Sequence, residues 1–156
     1  MDPSRPEPYA GAELIAAARA IATVAHAGQT DKAGERYITH PARVAGALAD
    51  AGHGPCPVAA AWLHDVLEDS PVTAQDLRRA GIPDNVVAAV QALTRRDGES
   101  HTDAVLRAGD DTIAVHVKRA DIADNADPRR LARLDPATRQ RLRTKYAHAT
   151  SLLPPT

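Results

Sequence analysis

At 156 residues, with 19 Lys and Arg against 20 Asp and Glu, the chain is most simply one domain, long enough to bury roughly two-thirds of its unfolded surface. The near-zero net charge offers no global attraction to nucleic acid or an anionic membrane, and an aromatic content of 3% with no Phe leaves little to stack on bases. The single cysteine, Cys56, excludes an internal disulfide and a cysteine-rich zinc site. The opening "MDPSRPEPYAGAE" lacks the basic and apolar regions of a signal peptide, and no apolar run approaches the roughly 18 residues that span a bilayer. A cytoplasmic protein is expected, with no nucleic-acid or membrane partner.

Residues 1–10 read as a flexible tail, followed by one domain over 11–153. The spacing of apolar residues in "AELIAAARAIATVAHAG" predicts a helix over 12–28, stopped by Gly28. The polar loop "QTDKAGERYIT" follows. "HPARVAGALADAG" then starts a helix with Pro41 at its first position and His40 at the cap. Pro57 opens a helix that runs through Trp62, a core residue, to about Glu68, and Pro71 closes it. A short helix from Thr73 to about Ala80 ends at Gly81, and Pro83 starts "PDNVVAAVQALTRR". Ser100 caps "HTDAVLRAG". In "TIAVHVKRADIADN" a helix is expected, although its β-branched first half is the one place where a strand is arguable. Asp135-Pro136 is a cap and first residue for the last helix, to about Leu152. Its "RQRLRTKY" stretch reads as a solvated basic face. The expectation is an all-α, single compact bundle of about seven to nine helices.

Ionisable chemistry collects in "WLHDVLEDS", where His64, Asp65, Glu68 and Asp69 follow an apolar approach. On a helix, His64 and Glu68 share one face and Asp65 and Asp69 another. An imidazole and a carboxylate that converge suit a divalent transition metal, and two further candidates exist. His40 stands at a helix start, and Asp121 interrupts a helix whose Ile113, Val117 and Ile122 imply that it packs inside. Two neutral nitrogens and two anionic oxygens suit Mn²⁺, Fe²⁺, Zn²⁺ or Co²⁺ and leave positions open for water and substrate. Glu68 would then orient or deprotonate the water. Blander readings remain open for each residue alone: His40 as a cap, Asp121 as a surface acid paired with Arg119 or Lys118, and Glu68 and Asp69 as a solvated helix end. His53, His101, His116 and His148 lack partners at ligand spacing.

Three segments, "AHAGQTDKAGERYITHPARVAGALA", "AAAWLHDVLEDSPVTAQDLRRAGIPDNVVAAVQALTR" and "VKRADIADN", resemble in order and spacing the hydrolase domain of the RelA/SpoT family and its free-standing small alarmone hydrolase relatives, which are HD-domain metal phosphohydrolases. The resemblance implies metal ligands at His40, His64, Asp65 and Asp121, usually for Mn²⁺. It implies a catalytic pair at Glu68 and Asp69 and substrate-binding residues at Lys32, Tyr37 and Asn125, with His26 packing behind the site. The implied reaction is hydrolysis at the 3′ position of guanosine tetra- or pentaphosphate, which releases pyrophosphate and GDP or GTP. Arg95, Arg96 and Lys118 are candidate helpers for the remaining phosphate charge.

The chain departs from the family's pattern in its first loop. Family members commonly carry an Arg-Lys pair there, the arginine stacking on guanine, whereas this chain has Asp31-Lys32. An acid makes no cation–π contact. ppApp, NADPH or a nucleoside monophosphate is therefore an alternative substrate, and a non-hydrolysing alarmone sensor an alternative role. Arg119 replaces the usual leucine before the last ligand, where it would face a phosphate or pair with Asp124. The salt bridge is the expectation.

Overall fold

A computed structural model describes residues 3–155. Met1, Asp2 and Thr156 lie outside the described residues, so the first two positions of the expected tail and the last of the chain's end are not covered. Ten helical segments follow in order: α1 (Gly11–Ala25), α2 (Thr39–Asp50), α3 (Pro55–Leu63), α4 (Val66–Asp69), α5 (Ala74–Arg79), α6 (Asp84–Leu93), α7 (His101–Gly109), α8 (Ala114–Asn125), α9 (Pro128–Leu131) and α10 (Pro136–Leu152). Two of them, α4 and α9, are single turns of 4 residues, so the number of longer helices agrees with the expected bundle. Among the described residues the only extended pairing is one isolated bridge, Thr30 with Arg36. The β-branched start of α8 is helical.

The centre of the bundle is α3, "PCPVAAAWL", in which Val58, Ala59, Ala60, Ala61 and Leu63 are all buried. Apolar on nearly all sides, it behaves as a core helix, and its alanines let α1 and α2 approach closely from two sides. The main core joins Leu14, Ala18 and Ala22 of α1 to Val44 and Leu48 of α2 and to Val86, Val87 and Val90 of α6. A smaller cluster of Val105, Ile122, Ala149 and Leu153 ties α7, α8 and α10 together. The catalytic candidates lie at the junction of these two clusters.

Local chemistry sets the ends. α1 stops at Ala25, three residues before Gly28, whose φ of 79° is the left-handed turn that a residue without Cβ accepts. Thr73 and Asp76 form a reciprocal capping box on α5. Asp127 and Asp135 cap α9 and α10 through the amides of Arg129 and Thr138. The N-terminal segment lies along the bundle: the amide of Tyr9 donates to Gly81 O at 2.8 Å and Arg5 pairs with Asp84 at 3.0 Å.

Two helix boundaries differ from expectation, and both shape the site. α2 begins at Thr39, so His40 lies inside the first turn rather than at its cap, and Pro41 is the third helical residue. Proline is tolerated there because that N–H has no partner within the helix. The helix expected from Pro57 to Glu68 starts two residues earlier, at Pro55, and is broken after Leu63. The imidazole Nδ1 of His64 takes the carbonyl of Ala61 at 2.6 Å, the acceptor that the Asp65 amide would use in a continuous helix.

Candidate metal centre and cavity

The break between α3 and α4 brings His64 and Asp65 together. Adjacent residues of a continuous helix diverge by about 100°, yet here His64 Nε2 lies 3.0 Å from Asp65 Oδ2. α2 delivers His40, whose Nε2 is 3.0 Å from Asp121 Oδ1 and 3.8 Å from Asp65 Oδ2. α8 delivers Asp121, whose Oδ1 is also 3.6 Å from His64 Nε2. The four residues predicted as ligands thus converge from two helices, α2 and α8, and the α3–α4 break. Among the described residues, His40, His64 and Asp65 form a group whose ligand atoms all lie within 4.8 Å of one another.

The donor chemistry fits a cation. A carbonyl only accepts, so Nδ1 of His64 carries the proton, and in the neutral ring its Nε2 presents a lone pair. That Nε2 is buried with no hydrogen-bond partner among the described residues, although two carboxylate oxygens approach it. His40 repeats the pattern: Nδ1 bonds Asp124 Oδ2 at 2.7 Å, and Nε2 turns toward Asp121. Lone pairs and anionic oxygens meeting in a buried space repel one another unless protons or a metal ion lie between them. Burial opposes protonation of His64, but Asp65 and Asp121 carry its pKa well above the usual histidine value. For His40, burial is outweighed by the bonds to Asp121 and Asp124. Burial would lift Asp121, yet its bonds to His40 and His64, with Lys118 close by, hold it well below the carboxylate range.

Residues around the cluster fix its orientation. The Tyr37 hydroxyl donates to Asp65 Oδ2 at 2.5 Å, and burial, then the charge of Asp65, pushes its pKa upward. Asn125 Nδ2 donates to Asp121 Oδ1 at 3.0 Å. Lys118 Nζ meets Asp121 Oδ2 at 3.1 Å. The largest anchor is Asp124, which accepts from His40, from Arg43 Nε at 3.0 Å and from Arg130 Nη2 at 2.6 Å. Sequence reasoning missed this role and assigned Asp124 to Arg119 instead. Arg119 in fact donates to the carbonyl of Pro154, and Asp124 faces the other side of α8. The i,i+3 spacing from Asp121 to Asp124 was the available signal, since it places both acids on one helix face.

The cluster opens into a cavity of about 400 Å³. Tyr37, Glu68, Asn125, Arg95 and Lys118 line it, and Arg96 is not among the lining residues. Glu68 Oε1 accepts from the amide of Arg95 at 3.3 Å, and burial, then the negative charge of Asp65, raises its pKa toward the range useful to a general base. Asp69 is not among the lining residues; its backbone carbonyl accepts from Gln29 Nε2 at 2.8 Å. Lys32 is exposed on the first loop and does not line the cavity. His26 sits behind the site, with Nδ1 2.8 Å from Gln29 Oε1 and its ring 5.0 Å from that of Tyr37.

Two further elements complete the lining. α7 contributes His101, and α10 contributes Lys145 and Tyr146. The last helix, expected to present only a solvated basic face, therefore turns part of that face to the cavity. In the first loop, Asp31 Oδ1 accepts from the amides of Ala33 and Glu35, both at 2.9 Å. The acid that replaces the family's arginine thus holds its own turn closed.

Comparison with known proteins agrees with this architecture. The HD-domain family profile matches residues 18–139. The bifunctional (p)ppGpp synthase/hydrolase SpoT of Escherichia coli is 33% identical over 133 residues, covering 78% of this chain and 18% of SpoT. The GTP pyrophosphokinase of Streptomyces coelicolor is 36% identical over 104 residues, covering 67% of this chain and 11% of the relative. The chain therefore spans less than a fifth of either protein. A solved structure of a metazoan ortholog of SpoT, described as hydrolyzing ppGpp and acting in starvation responses, superposes with a TM-score of 0.71 at 22% identity over 90% of this chain and 86% of the other. With two histidines and two aspartates meeting beside a helix break and the family profile covering most of its length, the chain belongs to the HD-domain family.

Proposed function

We propose that this protein is a metal-dependent phosphohydrolase that cleaves the 3′-diphosphate of guanosine tetra- or pentaphosphate, releasing pyrophosphate and GDP or GTP. The observation that carries the reading is the convergence of His40, His64, Asp65 and Asp121 in one cavity with Glu68. The names of the curated relatives supply the substrate class. The hydrolase unit spans residues 11–153 and works in the cytoplasm. No helix of the described residues is long and apolar enough to cross a membrane.

His40, His64, Asp65 and Asp121 hold the metal, which we assign as Mn²⁺. When bound, such an ion neutralises phosphate charge and lowers the pKa of an attacking water. Glu68, which lines the cavity beside this cluster, would serve as the acceptor for a proton of the attacking water. Asp69, whose carboxyl is also raised by burial and by Asp65, supports Glu68 through its negative charge. Tyr37 and Asn125 keep Asp65 and Asp121 oriented and present their remaining surface to the nucleotide. Lys32, on the loop before α2, reaches the nucleotide from outside the cavity. Lys118 and Arg95 take phosphate oxygens.

The test is to supply the purified chain with Mn²⁺ and follow ppGpp, pppGpp, ppApp, NADPH and simple nucleotides. Pyrophosphate released from ppGpp is expected. Orthophosphate released from NADPH alone overturns the reading, and tight ppGpp binding without turnover converts it to a sensor. A second reading, a phosphatase of another nucleotide, is favoured by one observation: Asp31 is bonded into its own loop and brings no cation to a guanine face. The same substrate panel separates the two.

A further inference from the structure

We propose that His53 and His116, which meet in a hollow that shares no residue with the catalytic cavity, form a second metal site. It takes a divalent transition ion such as Zn²⁺, Ni²⁺ or Cu²⁺ and clasps the end of α2 to the start of α8. The inference goes beyond the hydrolase reading and does not depend on it.

Local sequence fixes where both rings stand. After α2 the chain runs Ala51-Gly52-His53, and Gly52, at a φ of 85°, takes the left-handed turn. The amides of Gly52 and His53 then donate back to the carbonyls of Ala49 and Leu48, both at 3.0 Å, the paired bonds of a glycine-terminated helix end. His53 is thereby held just past the last turn of α2. His116 is the third residue of α8, on a helix face turned by about 140° from Asp121. The two imidazoles meet with ring centroids 4.6 Å apart and planes tilted by 45°. Neither histidine has a partner at ligand spacing in the sequence, and only packing of α2 on α8 makes them a pair.

Three properties suit the pair to a metal ion. Neither imidazole forms a hydrogen bond or ion pair among the described residues, so each neutral ring keeps a nitrogen lone pair with nothing bound to it. Burial, then the charges of His53 and Arg119, lowers the His116 pKa, which favours that neutral form. Second, two nitrogens on one Zn²⁺ stand about 3 Å apart, at Zn–N bonds of about 2.0–2.1 Å. Rings whose centroids are 4.6 Å apart reach that separation by turning about their side-chain bonds. Third, Ala47, Ala51 and Ala120 wall the hollow of about 660 Å³, and their small side chains leave room for the waters that complete a four-coordinate shell.

The surroundings also set which ion binds. Among the described residues no acid lines the hollow, so Mg²⁺ and Ca²⁺, which require oxygen ligands, find none there. The one charged neighbour is Arg119, whose guanidinium donates to the carbonyl of Pro154. It repels any cation, and only an ion that gains strong bonds from imidazole overcomes that repulsion. Mn²⁺ stands lowest among the divalent first-row ions in such affinity, and Ni²⁺, Cu²⁺ and Zn²⁺ stand high. The two sites of this chain therefore select different metals.

The test titrates Zn²⁺ by calorimetry into the full chain already loaded with Mn²⁺, for wild type, His53→Ala, His116→Ala and His116→Phe. His116→Phe keeps a packed ring without its nitrogens, so it remains informative if an alanine variant fails to fold. Exchange of metal at the catalytic centre is common to all four proteins and cancels in the comparison. Wild type is expected to take up one Zn²⁺ more than each variant, and the variants to bind that ion at least about tenfold more weakly, the smallest loss seen even for a ligand's supporting partner. At a hundredfold excess over Kd, Zn²⁺ should raise the Tm of wild type by about 5–10 °C more than that of the variants, and Mg²⁺ should raise it by no more. His64→Ala, changed only at the catalytic centre, should keep the extra ion. Equal Zn²⁺ uptake and equal Tm in wild type and folded His116→Phe overturn the site, as does a loss confined to the variants of one histidine.

Discussion

The two ends of the cavity solve opposite electrostatic problems. At the metal end, every polar side chain has at least one short contact before any ligand arrives: Asp124 alone accepts from His40, Arg43 and Arg130. At the α7 and α10 end, Lys145 makes no ion pair and His101 Nε2 has no hydrogen-bond partner among the described residues, the latter being true also of His64 Nε2 at the metal end. The metal end is preorganised because converging carboxylates must be oriented against their mutual repulsion. The other end tolerates loose groups because water and salt screen the repulsion between like charges at a solvent-facing rim.

The contrast is sharpened most strongly at the metal end. His64→Ala or Asp121→Ala should lose bound metal, measured by elemental analysis, and with it catalysis worth several kcal/mol, about a thousandfold or more in rate. Glu68→Ala should keep the metal and lower kcat by about 10²- to 10⁴-fold. Wild-type kcat in that variant would remove Glu68 from the role of base. Asp124→Asn leaves every ligand in place but loosens His40, so metal affinity by titration should fall about 10- to 100-fold. An unchanged affinity would show that α2 alone positions the imidazole.

Two smaller effects concern the scaffold around each end. Asp31→Arg removes the acceptor of two loop amides. It should destabilise the chain by about 1 kcal/mol, which lowers Tm by about 2–4 °C at this size, before any gain at a guanine base is seen. The sequence alone suggested only that gain. At the other end, Arg107 of α7 ties the preceding loop together, bonding the carbonyls of Ala92 and Thr94 and the carboxylate of Glu99. Hydrogen bonds from Arg107 and from the Arg96 amide hold Glu99 at about 2, against an ordinary value of 4.5. A folded pKa below the unfolded one means that this stabilisation is complete above about pH 4.5 and is lost as pH falls through about 2. Glu99→Gln should therefore flatten the dependence of urea stability on pH within that window, and leave it unaltered near neutrality.

Most of the fold and most of the metal end were legible in the chain itself. Apolar spacing, proline and glycine punctuation and Asp or Ser caps mark the helices, because 3.6-residue periodicity and capping are local properties. His64-Asp65, His40 and Asp121 stood out only in combination: a tandem His-Asp after an apolar approach, with further acids one turn later. The tertiary structure decided what depends on residues far apart in the chain. It broke the helix at His64, where a side chain claims a carbonyl of its own turn. It gave Asp124 to His40, 84 positions away, and Arg119 to the chain's end. It also brought His101 and Lys145 to one cavity from helices with no shared motif. Local pattern records which residues bear chemistry; only packing decides which of them meet, because long-range contacts carry no periodic signature.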